Sequence, residues 1–378
     1  MSERHRAAFI RGGTSKGLVF RAADLPAERA AQEAIFLRAM GSPDPYGRQL
    51  DGMGGGISSL SKVCIVGPST RPDADVDYTF VQVQIREARC DWRGNCGNMS
   101  AAIGPFAVDE GLVASPRDGD ALVRIHNTNT GKIIHSRFVV RDGRSVDEGD
   151  LEIPGVSGTG AAVRLDFMAP GGASTGRLLP TGRIVDTLEI AGHGPVQASL
   201  VDAANACVFL DAVAFGLTGT ELPDALEADP ARLALLEAVR RQASVAMGIA
   251  ADLDEAAAIR IIPFVALVGA PQPNPLLDGR TLPGDAADLV VRMISNGQPH
   301  RALPLTGSLC TAVAAAIEGT VPNHLARPGR SGALRLAMPS GVLAVAADVR
   351  RRDDGAWHAE RGSFYRTTRR LFDGVVHA

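Results

Sequence analysis

A cysteine stands where an apolar helix is expected to begin, within RGNCGNMSAAIGPFAVDEG at residues 93–111. A helix N-terminus carries partial positive charge and unpaired N–H groups, which favour a thiolate and attract anions. The Gly-Asn pairs on either side of Cys96 permit unusual backbone angles and close approach of a ligand. Cys96 is therefore either a thiol that moves protons or an inert cysteine that fills a tight turn.

A lysine leads into an apolar strand in LDGMGGGISSLSKVCIVG, residues 50–67. Partial desolvation disfavours the charged form of an amine and makes it a usable base. The alternative is a strand-end lysine whose amino group reaches solvent along its aliphatic stem. The chain contains only three lysines, Lys16, Lys62 and Lys132, so Lys62 is a specific candidate.

Two further segments could bind a small carboxylate. RGGTSKG at 11–17 lacks the residue order of a phosphate loop, but it offers Arg11, Lys16 and two hydroxyls on a turn. GQPHRALPLTGS at 297–308 offers a matching set before Cys310, namely His300, Arg301, Thr306 and Ser308. Each of these residues alone is typical of a solvated surface.

Composition limits the classes of protein. The chain has 378 residues, enough for two domains, and a formal net charge of −3, which gives no sign of a nucleic-acid partner. Five scattered cysteines favour a reducing cytoplasm over a disulfide framework, and their spacing predicts no metal site. The charged N-terminus predicts no signal peptide, and no segment is apolar enough to predict a membrane helix.

Short strand-like segments dominate, and four helices are predicted, at 26–41, 96–108, 229–248 and 309–317. The second and fourth are each expected to begin at a cysteine, Cys96 or Cys310, and both are rich in alanine and nearly uncharged. A helix without a polar face must be buried on all sides. The sequence therefore predicts one central helix wrapped by strands, occurring twice.

Four segments in this order, RGGTSKG, GSPDPYGRQLDGMGGGISSLSKV, DWRGNCGN and LLPTG, closely resemble the PrpF family. The similarity runs from about residue 9 to LFDGVV near the C-terminus. The resemblance implies the α+β, diaminopimelate-epimerase-like fold, with two pseudo-symmetric, barrel-like domains around central helices and the site in the cleft between them. The expected domains are 1–180 and 181–378, with the last strands able to return to the first domain.

The resemblance also implies roles for the two candidate residues. Lys62 matches the catalytic lysine of the family, and Cys96 matches the cysteine at the first central helix. Cys310 lies near the second cysteine position of the wider epimerase superfamily, where two thiols act as opposed bases. Several methylaconitate isomerases lack a cysteine there, so Lys62 with Cys96 is the expected pair.

The implied reaction is an allylic isomerisation, a 1,3-proton shift in a small unsaturated di- or tricarboxylate, without cofactor or metal. We expect 2-methylaconitate or aconitate as substrate, with methylitaconate and 4-oxalomesaconate as alternatives, no nucleic-acid or membrane partner, and a homodimer as one possible assembly. Different classes remain open: a two-base amino-acid epimerase or racemase, or a carboxylate-binding protein without catalysis. The candidate substrate-binding residues are Arg11, Thr14, Ser15, Lys16, Met53, Gly54, Gly55, Ser58, Ser59, Asn98, Met99, Ser100, His300, Arg301, Thr306, Gly307 and Ser308.

Overall fold

The predicted central helix forms at Gly97–Asp109, and its residues from Met99 to Val108 are all buried. The computed structural model describes residues 4–92, 96–259, 262–295, 297–329 and 332–378. Its helices are α1 (Arg29–Met40), α2 (Gly97–Asp109), α3 (Pro223–Glu227), α4 (Pro230–Ala246), α5 (Leu253–Ala258), α6 (Leu305–Ala316) and α7 (Val321–Leu325).

The chain divides into two units, one formed by Met1–Met168 with Tyr365–Ala378 and the other by Ala169–Phe364. The boundary precedes the predicted position at residue 180. The strands of the first unit are β1 (Arg4–Gly12), β2 (Ser15–Arg21), β3 (Lys62–Pro68), β4 (Val76–Val83), β5 (Cys90–Asp91), β6 (Gly119–Asn127), β7 (Lys132–Arg141), β8 (Arg144–Ser145), β9 (Leu151–Glu152), β10 (Thr159–Gly160), β11 (Val163–Met168) and β23 (Thr368–His377).

The second unit contains β12 (Asp186–Ile190), β13 (Gly194–Ala203), β14 (Asn205–Asp211), β15 (Phe264–Gly269), β16 (Asn274–Pro275), β17 (Thr281–Leu282), β18 (Leu289–Ser295), β19 (Gln298–Pro299), β20 (Leu334–Met338), β21 (Gly341–Arg351) and most of β22 (Trp357–Arg366). Short 3-10 segments lie at Ala22–Asp24, Ser58–Leu60 and Ala212–Phe215.

The two units share one pattern of strand pairing. In the first unit the order is β23–β1–β2–β3–β4–β6–β7–β11, where β2–β3 and β4–β6 are parallel and the other pairs are antiparallel. In the second unit it is β12–β13–β14–β15–β18–β20–β21–β22, with parallel pairs β14–β15 and β18–β20 at the same places. The predicted pseudo-symmetry is therefore present in the topology.

In each unit, a largely apolar helix comes later in the chain than the strand that is fifth in this sheet order, β4 or β18. α2 packs against β1, β6, β7 and β11, and α6 packs against β13, β14 and β21. Every residue of α6 from Gly307 to Ala315 is buried. The interpretation of two helices wrapped by strands is thus correct, because neither helix has a polar face to leave in water.

The second of these helices begins earlier than predicted. The sequence predicts a helix over 309–317 that starts at Cys310, whereas α6 starts at Leu305 with Pro304 as its N-cap. Thr306, Gly307 and Ser308, which the prediction placed before the helix, therefore belong to its first turn.

Gly17 allows the parallel strands β2 and β3 to approach beside Lys62. Gly17 pairs with Lys62, and a Cβ atom at Gly17 would lie 2.2 Å from the Lys62 carbonyl oxygen. We expect Gly17→Ala to lower the free energy of unfolding by about 1–3 kcal/mol, because backbone atoms must move. Urea denaturation followed by circular dichroism measures this change.

Gly374→Ala is the matched control, since Gly374 also lies in a strand but has open space where a Cβ would be added. This variant should be neutral or more stable by about 0.5–1 kcal/mol, because alanine loses less backbone entropy on folding. Equal urea midpoints for the two variants would show that the β2–β3 contact is not tight.

Candidate active site

Cys96 is the N-cap residue of α2, but its side chain takes no part in the cap. Its φ and ψ are −111° and 100°, and its thiol makes no capping hydrogen bond. The N–H and hydroxyl of Ser100 donate to the Cys96 carbonyl at 2.9 and 3.0 Å. The thiol therefore lies at the positive end of the helix dipole. Residues 93–95 of the predicted motif lie outside the described residues.

Exposure separates Cys96 from the other cysteines. All five cysteines are described and free, and Cys96 is partly exposed while the other four are buried. Burial raises the pKa of Cys64 and Cys207, and raises the pKa of Cys90 to about 12. A buried thiol that stays protonated cannot exchange protons with a bound ligand, so Cys96 is the accessible thiol.

A buried tyrosine supports the first turn of α2. The Cys64 thiol donates to the hydroxyl of Tyr78, with sulfur and oxygen 3.8 Å apart. The Tyr78 hydroxyl also hydrogen-bonds Ser100, and burial raises its pKa well above the ordinary value. Tyr78 therefore stays protonated and acts as a fixed polar support.

Lys62 opens β3 with its side chain held inside the unit. Only 8% of the residue is exposed. Its Nζ donates to Gln82 Oε1 at 2.7 Å and lies 4.9 Å from the centre of the Phe80 ring. Lys62 takes part in none of the ion pairs found among the described residues. Its amino group is therefore held by neutral partners.

One buried thiol lies within electrostatic reach of both candidates. Cys64 follows Lys62 by two residues on β3, so both side chains point to the same face of the sheet. Burial dominates the raised pKa of Cys64, the thiol of Cys96 raises it further, and the charge of Lys62 lowers it. Lys62 and Cys96 therefore both lie near Cys64 in the first unit.

The turn after β1 packs on the first turn of α2. The Thr14 N–H donates to Asn98 Oδ1 at 3.4 Å, and Asn98 Nδ2 donates to the Thr14 hydroxyl at 3.0 Å. Gly13 has a φ of +52°, and a Cβ there would lie 2.3 Å from Asn98 Oδ1. Two of the predicted binding residues, Thr14 and Asn98, are thus in contact near Cys96.

Arg366 is a residue of this region that the sequence did not reveal. It is 6% exposed, its Nε donates to Asn98 Oδ1 at 3.2 Å, and burial lowers its pKa to about 10. It remains a cation at neutral pH, near the N-terminus of α2. Arg361, Arg369 and Arg370 lie close to it in the sequence, so no sequence signal distinguishes it until the chain is folded.

Two predicted binding residues of the 11–17 segment have internal partners. The Arg11 guanidinium donates to the carbonyls of Gly13 and Thr367, both at 3.0 Å. The Lys16 Nζ lies 5.5 Å from the centre of the Phe9 ring. Arg11 therefore joins the turn to the C-terminal part of the unit. Three more predicted binding residues are buried: Ser15, Met99 and Ser100.

The glycine-rich segment before Lys62 folds around Gln49, which the sequence analysis missed. Gln49 is 1% exposed, and its Oε1 accepts from the Gly56 N–H at 3.0 Å and the Ser61 hydroxyl at 2.6 Å. The segment is also tied to the end of α1, because Met53 and Gly54 donate to the carbonyls of α1 residues. This segment carries the predicted binding residues Met53, Gly54, Gly55, Ser58 and Ser59.

The remaining predicted residues lie in the second unit. His300 Nε2 and the Ser295 hydroxyl are 2.6 Å apart, and burial lowers the His300 pKa. Arg301 is exposed and pairs with Asp224 at 2.9 Å. Thr306, Gly307 and Ser308 form the first turn of α6.

Cys310 does not occupy the position that the sequence analysis expected. It is the sixth residue of α6 and fully buried, and its thiol donates to the Val201 carbonyl at 3.4 Å. Pro304 takes the N-cap position that Cys96 takes in α2. The second unit therefore has no thiol at the corresponding place, because α6 extends one turn further than predicted.

Neither a metal site nor a membrane-spanning helix is found in the part of the chain that the structure describes. Within it, no three His, Cys, Asp or Glu side chains converge as a metal site. None of its helices has the length and hydropathy needed to cross a membrane.

The exposure pattern predicts selective alkylation. Iodoacetamide should modify Cys96 first in the native protein, because the other four thiols are buried. Peptide mass spectrometry after short exposure measures the modified site, and Cys96→Ser is the control that should take up no label. Comparable labelling of Cys90 or Cys310 in the folded protein would contradict the described burial.

Comparisons with known proteins identify the family and the fold. The sequence model of the PrpF protein family matches residues 2–378. A 2-methyl-aconitate isomerase of Cupriavidus necator is 41% identical over 98% of this chain and 96% of its own. The crystal structure of a methylitaconate-delta-isomerase superposes with a TM-score of 0.92 at 40% identity, over 100% of this chain and 96% of that one. A hydroxyproline epimerase of Agrobacterium vitis, 12% identical, shares the fold with a TM-score of 0.52 over 100% and 94%. The chain therefore belongs to the PrpF family.

Proposed function

We propose that this isomerase moves a carbon–carbon double bond of a small unsaturated di- or tricarboxylate by a 1,3-proton shift between Lys62 and Cys96. The observation that carries the proposal is the arrangement around Cys64. A buried amine that donates to a neutral amide oxygen and a partly exposed thiol at a helix N-terminus both lie within electrostatic range of that residue. Proton removal and proton return need two such groups.

The reaction needs one base and one acid. The neutral amine of Lys62 takes a proton from an allylic carbon, and the C–H electron pair enters the conjugated system. The Cys96 thiol gives its proton to the carbon two positions away, and the double bond forms between the other two carbons. Transfer of the proton from the Lys62 ammonium to the Cys96 thiolate restores the starting state. The opposite assignment of base and acid uses the same atoms in reverse.

The intermediate needs stabilisation because it places negative charge on a carboxylate oxygen. The first turn of α2 carries the positive end of the helix dipole, which favours such charge. Arg366 adds a buried cation beside Asn98. These groups support binding of an anionic substrate at this end of the helix.

The substrate that we propose first is 2-methylaconitate or aconitate. The support is the 41% identity with a protein named 2-methyl-aconitate isomerase. Methylitaconate is the next candidate, since the methylitaconate-delta-isomerase matches over the whole chain. 4-Oxalomesaconate is a further unsaturated carboxylate to which the same chemistry applies.

The rival reaction, two-base epimerisation of an amino acid, needs a second accessible thiol. Cys310 is fully buried inside α6, and Pro304 occupies the N-cap. These observations favour the lysine–thiol pair over two opposed thiols. We also propose a cytoplasmic location, which the five free cysteines support, since a reducing compartment preserves thiols.

Proton NMR in deuterated water tests the proposed reaction. The protein should shift the double bond of 2-methylaconitate or aconitate and incorporate deuterium at the allylic carbon. Lys62→Ala and Cys96→Ala should each lower kcat by at least about 100-fold, because each removes one proton-transfer group.

The matched control is Cys310→Ser, which keeps a hydroxyl near the Val201 carbonyl that accepts from the thiol. We expect it to retain most activity. Normal turnover by Lys62→Ala together with loss of activity in Cys310→Ser would favour the epimerase-like alternative. Binding of carboxylates without any proton exchange would indicate a non-catalytic protein.

A further inference from the structure

We propose that Gln82 is the positioning residue for Lys62, because its locked amide holds the Lys62 Nζ through an uncharged acceptor. This inference rests on the proposed function, since it concerns the amine that takes the substrate's proton. Lys62 and Gln82 lie directly opposite each other on the antiparallel strands β3 and β4. Gln82 Oε1 accepts from Nζ at 2.7 Å.

Backbone carbonyls determine which way the Gln82 amide points. Its Nε2 donates to the carbonyls of Ser58 at 3.1 Å, Ser61 at 3.0 Å and Val83 at 3.3 Å. A reversed amide would place Oε1 against these acceptors and Nε2 against the donors of Lys62. Both contacts would be repulsive, so the amide has one usable orientation and its oxygen always faces Nζ.

Ser61, whose carbonyl accepts from the Gln82 amide, is itself fixed by further hydrogen bonds. The Ser61 hydroxyl donates to Gln49 Oε1 at 2.6 Å and to the Ile57 carbonyl at 2.9 Å. The Ser61 carbonyl also accepts from the Val83 N–H at 3.1 Å. Gln82 therefore connects Lys62 to a fixed part of the glycine-rich segment, and the direction of the Nζ lone pair is restricted.

An uncharged acceptor suits a base better than a carboxylate does. A carboxylate within hydrogen-bond distance would stabilise the ammonium form and keep the proton on Nζ. An amide oxygen accepts from the ammonium and from the free amine, so it orients both forms. Two further neighbours carry no formal charge: the Phe80 ring lies 4.9 Å from Nζ, and burial raises the Cys64 pKa so that this thiol stays protonated. The charged residue Asp91 lies opposite Gln82 on the next strand, β5.

The second unit shows that this strand pair does not need the lysine–glutamine bond to form. β15 and β18 correspond to β3 and β4 in the strand order, and they pair in the same antiparallel manner. β15 opens with Phe264, and the second unit contains no lysine. The Lys62–Gln82 hydrogen bond is therefore not needed for the sheet to form, and we attribute it to the site.

The experiment measures kcat, KM, and the titration and hydrogen exchange of the Lys62 amino group in the variants Gln82→Met and Gln82→Glu. Gln82→Met keeps the side-chain length and removes the amide, so kcat should fall by about 10- to 100-fold while KM changes little, because Nζ is misdirected. Gln82→Glu places a carboxylate beside Nζ, so the acidic limb of the kcat/KM pH profile should move up by about 1 unit or more. Gln82→Met should lower activity without that displacement.

NMR of lysine labelled with ¹³C and ¹⁵N gives a readout independent of activity. The chain has three lysines, so Lys62 is assigned by comparison with Lys62→Arg. The Lys62 side-chain signal should titrate at higher pH in Gln82→Glu than in the unaltered protein. Its Nζ hydrogens should exchange faster with water in Gln82→Met. Gln197→Met is the control, since Gln197 is an exposed strand residue of the second unit.

The outcomes separate this inference from the proposed function. A kcat in Gln82→Met within about twofold of the control, or Lys62 signals unchanged in both variants, would overturn the role of Gln82. If Lys62→Ala keeps normal turnover, the proposed function fails, while the NMR titration still reports whether Gln82 controls Nζ. Thermal unfolding of each variant shows that a loss of kcat belongs to the folded protein.

Discussion

The burial of α2 is the constraint on which the first unit depends. Its residues from Met99 to Val108 are apolar or small and all buried, so the helix is stable only if strands cover every side. The strands that precede and follow α2 in the chain supply most of this cover. The C-terminal strand β23 returns to pair with β1, and it brings Arg366 and Thr367 to the turn that contacts Asn98. The strand pairing that covers α2 thus also places the Arg366 guanidinium near the start of this helix.

The two units use the same strand pattern for different chemistry. At the N-cap of the central helix, Cys96 in one unit corresponds to Pro304 in the other, and at the start of the fourth strand Lys62 corresponds to Phe264. The topology therefore places two side chains in each unit, at the helix N-cap and at the start of the fourth strand. The residue type at each position decides whether that side chain can transfer a proton. Both proton-transfer candidates lie in the first unit.

Sequence patterns predicted the parts of this protein that depend on local order. Apolar, uncharged runs predicted both central helices, and the spacing of Cys96 and Lys62 from glycine-rich turns identified both candidates. The start of α6 was mispredicted because Cys310 was expected to begin its helix as Cys96 does, whereas α6 begins at Leu305 after the N-cap Pro304. Arg366 was missed because its partner Asn98 is distant in sequence, and Gln82 because strand pairing places it opposite Lys62. Gln49 was missed because only the folding of the loop places its side chain against Gly56 and Ser61.

The environments of Lys62 and Cys96 differ in the way that proton transfer requires. The Lys62 amino group has an amide oxygen, an aromatic ring and a protonated thiol near it, and none of these three groups carries a negative charge. Cys96 lies at a partly exposed helix N-terminus, where negative charge is favoured. Removing a proton from carbon creates an ammonium and a substrate anion together, so the two charges stabilise each other only while substrate is bound. The anionic intermediate itself therefore supplies the negative charge that pairs with the ammonium formed during proton transfer, and no fixed carboxylate is needed for that role.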